Sequence, residues 1–289
     1  MIDTKYQRLQ QILRELGSCV VAYSGGVDSV FLAAVAHRVL GAQSLAVIAD
    51  SPSLPRRELA EALAIAAQFQ IPVEVVNTAE FADDRYLANP GNRCYFCKHA
   101  LFTELVPRAR AGGFACIVYG ENASDVGDHR PGAQAATEFK VRAPLKEAGL
   151  TKAEIRELSA SLGLPTADKP QMACLSSRIP TGERVTPEKL KMIEDAEYLL
   201  RDLGFYDVRV RHHELTTGHL ARIEVGPSEL GRFFSENHHA TVADRFRTFG
   251  YLHTTIDLAG YRRGSTNGQP TPPASIPFRR TAVATGPVG

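Results

Sequence analysis

No apolar stretch in this chain approaches the roughly 20 residues a bilayer-crossing helix requires; strongly apolar runs such as Cys19–Tyr23, 30–36 and 45–49 fall far short. No membrane span is expected. An excess of one charge is missing too, with 33 Lys and Arg against 32 Asp and Glu. Bulk attraction to nucleic acid or an anionic membrane is therefore absent, which leaves room only for a local basic patch. The glycine period of collagen, the heptads of a coiled coil and the cysteine density of a disulfide scaffold are lacking as well. The opening Met1-Ile-Asp-Thr-Lys-Tyr-Gln-Arg shows no charged segment running into an apolar one, so no secretory signal is read and a reducing cytoplasm is expected. In that setting five cysteines point to metal, cluster or catalysis before disulfide.

What remains is an ordinary globular composition, 44% hydrophobic and 22% charged over 289 residues. That length suits one α/β domain with a smaller partner. Tyr6, Leu9, Ile12, Leu13 and Leu16 recur at helical spacing, and Gly17 is placed to end that helix. Short apolar runs at Cys19–Tyr23, 45–49, 73–76 and 115–119 then alternate with helical stretches reaching Leu40 and over 55–70 and 96–111. Strands separated by helices longer than ten residues predict βαβ units and a doubly wound parallel sheet.

After Leu164-Pro165 prolines and glycines thicken, and a helix is expected from Thr186 with Pro187 at its first position. Residues 206–212 and 219–225 alternate like half-exposed strands around a Thr-Thr-Gly turn. A further helix near 242–249 and a strand at 251–257 complete a small α+β unit. The division expected is 1–178, 179–263 for substrate binding and oligomerisation, and a flexible tail, 264–289, with nine Gly or Pro in 26 residues.

Three segments carry chemistry. Ser24-Gly-Gly-Val-Asp-Ser29 brings a buried strand to a glycine turn just before a helix, where backbone N–H groups and the helix dipole can cradle a phosphate. It lacks the Lys-Ser/Thr pair of a Walker A loop. Asp50-Ser-Pro52 and Gly120-Glu-Asn-Ala-Ser-Asp125 follow later strands at their carboxyl ends, where an open α/β sheet places ligands; simple loop capping would explain Asp50 and Asp125 equally well. Arg93-Cys-Tyr-Phe-Cys-Lys98 supplies a C-x-x-C pair, and Lys169-Pro-Gln-Met-Ala-Cys-Leu-Ser-Ser-Arg-Ile-Pro180 centres on Cys174. Cys94, Cys97 and Cys174 could together face a metal or cluster, although a redox dithiol or a chance pair also fits. Structural zinc would want a fourth ligand, and Cys19 and Cys116 read as core hydrophobes.

The hexapeptide at 24–29 resembles the pyrophosphate-loop signature of the N-type ATP pyrophosphatases, which cleave ATP to AMP and pyrophosphate. The segment around Cys174, with 143–156 and 162–166, closely resembles the LarE family of ATP-dependent sulfur transferases, and the resemblance runs from the first helix to about Asp257. It implies that ATP with Mg²⁺ is held by Ser24, Gly25, Gly26, Asp28, Ser29, Asp50, Gly120 and Asp125. It also implies that a carboxylate of pyridinium-3,5-biscarboxylic acid mononucleotide becomes a thiocarboxylate for a nickel-pincer cofactor. Some members sacrifice the sulfur of the residue matching Cys174, leaving dehydroalanine; others add a C-x-x-C pair. This chain has the pair, which implies a [4Fe-4S] cluster on Cys94, Cys97 and Cys174 that carries the sulfide.

Arg209 and Arg211 lie two apart on a strand, so they project from one face, with Arg222 on its neighbour. With Arg178, they are the candidates to bind the substrate's phosphate and carboxylates; solvated surface arginines are the plain alternative. The expected partners are a small pyridinium mononucleotide, a sulfide donor and other copies of the chain, with no nucleic acid and no membrane. A tRNA thiolase is the rival reading, but residues 178–263 hold 13 basic and 13 acidic residues and offer no phosphate-neutralising platform. An amidating ligase would leave the cysteines unexplained, and a redox-sensing nucleotide-binding protein would leave the arginines unexplained.

Overall fold

The computed structural model describes residues 2–125, 131–170, 173–236 and 238–261. The expected tail at 264–289 lies outside them, as do residues 262–263 and 171–172. A helix, α1 (Ile2–Leu16), leads into β1 (Cys19–Tyr23), α2 (Val27–Leu40), β2 (Ser44–Asp50), α3 (Arg56–Gln68) and β3 (Val73–Asn77). Then follow α4 (Asp84–Leu87), α5 (Arg93–Ala111), β4 (Cys116–Tyr119), α6 (Pro131–Glu138), α7 (Pro144–Glu147) and α8 (Lys152–Ser161).

The four strands form one parallel sheet in the order β3-β2-β1-β4. All five residues of β1 are buried, as expected of a central parallel strand covered on both faces. Its side chains alternate between two cores. Cys19, Val21 and Tyr23 pack with Leu9, Val30, Ala62 and Ile155 of α1, α2, α3 and α8; Val20 and Ala22 pack with Phe102, Leu105 and Ala135 of α5 and α6. Burial pushes the Cys19 thiol up to about 12, consistent with a core residue. Half-buried Cys116 donates to the Ser18 carbonyl at 3.6 Å.

Past Cys174 come α9 (Pro187–Asp202), β5 (Val208–Leu215), β6 (Gly218–Val225), α10 (Leu230–Ser235), α11 (His238–Thr248) and β7 (Tyr251–Ile256). Thr186 caps α9 through the Lys189 N–H, with Pro187 behind it as expected. The hairpin β5–β6 is antiparallel, and β7 joins β6 in parallel after the α10–α11 crossover, giving the order β5-β6-β7. Val208, Val210, Ala221, Ile223 and Val225 supply the apolar face, packed with Ala196, Leu200 and Phe246.

The opposite face departs from the half-exposed pattern read in the sequence. Arg209 lies opposite Glu224 and Arg211 opposite Arg222, so these four share one face. Arg209 and Arg211 are each only 4% exposed and Glu224 is fully buried. That face is covered by the chain around Ser177 and Arg178 and by Tyr261, whose ring lies 4.8 Å from the Arg209 guanidinium carbon. Polar residues alternate along these strands because they meet other charged groups, not water. No helix among the described residues is long and apolar enough to cross a membrane.

Candidate active site

The turn at 24–29 is closed by its own two serines. Ser29 Oγ donates to the Gly26 carbonyl at 3.0 Å, accepts from the Ser24 N–H at 3.1 Å and lies 3.1 Å from Ser24 Oγ. Gly25 has φ +71°, and a Cβ there would sit 2.7 Å from the Ala62 Cβ on α3, so the position admits glycine alone. Gly120, ending β4, approaches the backbone of Asp28 and Ser29 so closely that a Cβ would lie 3.0 Å from the Ser29 nitrogen. The β4 loop is thus seated against the start of α2. Asp28 accepts from Lys152 Nζ at 2.7 Å. Lys152 opens α8, whose capping box joins Thr151 and Glu154. In the β4 loop Asp125 Oδ2 accepts from the Asn122 N–H at 3.2 Å. Asp50 takes the Arg56 guanidinium at 2.5 Å, and Arg56 also donates to the carbonyls of Ser51 and Leu54. Asp50 therefore serves the shape of its loop, while Ser51, Ser53 and Leu54 face the cleft beside it.

That cleft, about 360 Å³, is lined by Ser24, Gly25 and Gly26 and also by Cys97 and Cys174. Ile48, Leu54, Pro55 and Leu101 give it apolar wall, while Lys98 and Lys169 bring positive charge. Such a cavity suits an adenine ring with a polyphosphate. Lys169 is anchored to Glu58 at 2.7 Å and to Glu61 at 2.8 Å. The expected helix at 96–111 begins earlier, at Arg93, so Cys94 and Cys97 lie on its first turns, three apart on one side.

Arg93 ties this helix to Cys174. It donates to the Ser176 carbonyl at 2.8 Å and points its other amino nitrogen at Cys174 Sγ, 3.7 Å away. Cys94 is exposed as a residue, yet burial of its sulfur and the neighbouring Cys174 push its thiol up. Burial, then Glu80, then Cys174 push Cys97 up to about 12. The three sulfurs therefore feel one another. Among the described residues no three His, Cys, Asp or Glu side chains draw tightly enough together for one metal ion. Cys97 and Cys174 line the cleft together, and Cys94 lies three residues before Cys97 on the same helix.

The arginines predicted to take substrate sit elsewhere than on an open surface. Arg178, fully buried, forms a two-pronged pair with Glu197 at 2.8 and 3.0 Å and donates to the carbonyls of Ala173 and Cys174 at 2.6 and 3.0 Å. Arg211 donates to Glu224 and to the Ser177 carbonyl at 3.0 Å. Arg222 pairs with Glu224 and Asp257. Arg178 and Arg211 thus clamp the backbone that carries Cys174, joining two of the three expected substrate arginines to the sulfur segment. Burial and the adjacent Arg178 push the Arg209 pKa down. The sequence carries no sign of the roles of Arg93, Glu197 and the Ser53–Tyr86 pair, whose partners lie elsewhere in the chain; for Lys152 the Thr151-x-x-Glu154 spacing is a signal that could have marked the helix start beside it.

Set beside known proteins, the NAD synthase family profile matches residues 2–88. An uncharacterized Synechocystis protein is 45% identical over 92% of this chain and 98% of its own length. The pyridinium-3,5-bisthiocarboxylic acid mononucleotide synthase of Lactiplantibacillus plantarum is 32% identical, with 92% of this chain and 95% of that protein aligned. A glutamine-hydrolysing GMP synthase of Gloeothece citriformis is 28% identical over 68% of this chain and 41% of its own length.

Proposed function

We infer the function from the premise that the chain belongs to the LarE family, that of the pyridinium-3,5-bisthiocarboxylic acid mononucleotide synthase. The protein is an ATP-dependent sulfurtransferase that converts a carboxylate of pyridinium-3,5-biscarboxylic acid mononucleotide to a thiocarboxylate. One observation carries this reading: the phosphate-loop glycines and Cys174 line the same cleft.

ATP lies with its phosphates against the N–H groups at 24–29, and Asp28 and Asp125 are the carboxylates at hand for Mg²⁺. A substrate carboxylate oxygen attacks the α-phosphorus and pyrophosphate leaves, its developing charge met by the loop N–H groups and the metal. A carboxylate oxygen is a poor leaving group, whereas AMP departs readily. Sulfide then adds to the acyl carbon, the bond to AMP breaks, and the thiocarboxylate is left with AMP and a proton. The apolar walls of the cleft keep water from competing for the same carbon.

Cys94, Cys97 and Cys174 are the residues that would hold a [4Fe-4S] cluster, which when bound supplies an open iron able to carry an extra sulfide. Arg93 fixes Cys174 relative to the helix bearing the other two. Arg178 and Arg211 hold the backbone of the Cys174 segment against the second domain, and with Arg209 buried beside them they serve that placement rather than an open phosphate site.

Incubation with ATP, Mg²⁺ and the dicarboxylate mononucleotide should release pyrophosphate and AMP and yield thiocarboxylate. Release of ADP and phosphate would overturn the assignment.

A further inference from the structure

Three hydroxyls from three separate segments meet behind the cleft. Ser53 Oγ, on the loop after β2, lies 2.6 Å from Tyr86 OH and 2.6 Å from Ser176 Oγ; Tyr86 OH and Ser176 Oγ are 2.9 Å apart. Exposure is 4% at Ser53, 1% at Tyr86 and nil at Ser176. Around such a ring each hydroxyl can donate one hydrogen bond and accept another, so three buried O–H groups are satisfied without help from solvent.

The placement is what matters. Ser53 lines the nucleotide cleft, and its carbonyl also accepts from the Leu175 N–H at 2.9 Å. It therefore grips, through main chain and side chain, the two residues that follow Cys174. Tyr86 packs in the buried cluster that includes Leu175 and Ile179, with Cys97 against it. The ring thus joins the loop beside the nucleotide, the surroundings of the C-x-x-C helix and the segment bearing Cys174. Apolar side chains could fill this space with no need of partners. Directional bonds instead specify a single relative placement of the three segments, and each bond polarises the next.

We propose that the Ser53–Tyr86–Ser176 ring is a positioning device that holds Cys174 in register with the bound nucleotide, so that sulfur transfer depends on the ring while adenylation does not. The proposal rests on the reading of the cleft as the seat of both half-reactions. Nucleotide seated against Ser51 and Ser53 bears directly on a ring member, and the ring passes that contact to Ser176, two residues from the sulfur. Ser53, Tyr86 and Ser176 are positioning residues and touch no reacting atom.

The test compares the full-length protein, reconstituted anaerobically, with Tyr86→Phe and Ser176→Ala, counting pyrophosphate released per thiocarboxylate formed. In the parent the count stays near one. In both variants it should rise severalfold, because acyl-adenylate is made and lost to water before sulfur arrives, and Ser176→Thr, which restores a hydroxyl, should bring it back down. Two rates falling together at an unchanged ratio would overturn the proposal, since a merely structural role damages both halves alike. A second measurement reads the ring without thiolation: on the full-length protein before reconstitution, the rate of Cys174 alkylation with and without a non-hydrolysable ATP analogue, by peptide mass spectrometry. The analogue should change that rate in the parent and not in Tyr86→Phe; an equal change in both refutes the coupling. If the parent releases pyrophosphate but forms no thiocarboxylate, the sulfur-transfer reading fails, and the alkylation comparison still decides the fate of the ring.

Discussion

The turn at 24–29 and the segment at Cys174 face one cleft, yet they are held in opposite ways. The phosphate turn is closed by bonds spanning at most five residues, with one distant tie, from Lys152 to Asp28. The Cys174 segment is held from outside: by Ser53, 123 residues away from its partner Ser176, by Arg93, 83 away from the same residue, and by Arg211, 34 away from Ser177. Its inward ties are short ones, among them those from Ser177 Oγ and the Arg178 guanidinium to the Cys174 carbonyl. A phosphate-binding turn needs only the right backbone path and a helix start, which a short sequence can encode. On the proposed reading the Cys174 sulfur meets a nucleotide on one side and a substrate on the other, which calls on several elements at once.

The contrast predicts that distant changes should strike the Cys174 segment and spare the phosphate turn. The largest effect should come from Cys94→Ala with Cys97→Ala, which should abolish iron content and thiocarboxylate formation while pyrophosphate release persists. Intact-protein mass spectrometry sharpens the result: a sacrificial route would leave Cys174 lighter by one H₂S, about 34 Da, with activity surviving in this variant, whereas the cluster route keeps Cys174 at full mass.

Next is Glu197→Gln, which leaves Arg178 buried without its counter-charge. Removing one partner of a buried pair should cost about 3–5 kcal/mol of stability, read by denaturant unfolding. Glu197→Leu with Arg178→Met should recover much of that loss, because apolar residues pack without a desolvation cost, but not sulfur transfer, since the guanidinium that bonds the carbonyls of Ala173 and Cys174 is gone. Recovery of both would show that the clamp only stabilises the fold.

Ser29→Ala damages the local region instead. It should raise the KM for ATP roughly tenfold, equivalent to about 1.4 kcal/mol, with pyrophosphate release reporting the loss and the unfolding midpoint little changed. A large fall in the midpoint would break the contrast, by showing that the turn also depends on the rest of the protein.

The smallest effect concerns Glu154, which caps the helix that sets Lys152 on Asp28. Its bond to Lys5, with the Thr151 N–H, holds its carboxyl down to about 2. A depressed carboxylate contributes stability above its unfolded value near 4.3 and loses it as pH falls through the folded value. The group is accessible to water, so Glu154→Gln should cost only about 0.5 kcal/mol at neutral pH. It should also flatten the acid limb of the stability curve between about pH 4.5 and 2; an unchanged limb would remove Glu154 from the account.

Much of the fold was legible. The four parallel strands, the lead helix and the Thr186-Pro187 helix start all announce themselves through runs of neighbouring residues, and the structure contains each. The second domain was legible in its elements and misleading in its surfaces. Alternation along β5 and β6 reads as one wet face, because a sequence pattern cannot tell a side chain turned to water from one turned to another charge. Arg209 and Arg211 are buried because Glu224, Tyr261 and the Ser177 backbone meet them, and those partners come from three different stretches of chain.

Sequence alone therefore determined the phosphate turn, the glycine at 25 and the parallel sheet that presents them, since each follows from short-range sterics, hydrogen bonding and apolar periodicity. Tertiary structure alone decided which thiols share the cleft, that Arg178 and Arg211 grip the segment that carries Cys174, and that Ser53, Tyr86 and Ser176 close a ring. Apart from the short reach of Arg178, those contacts join residues tens of positions apart, and they arise only once burial of the two domains' apolar faces has brought the segments together.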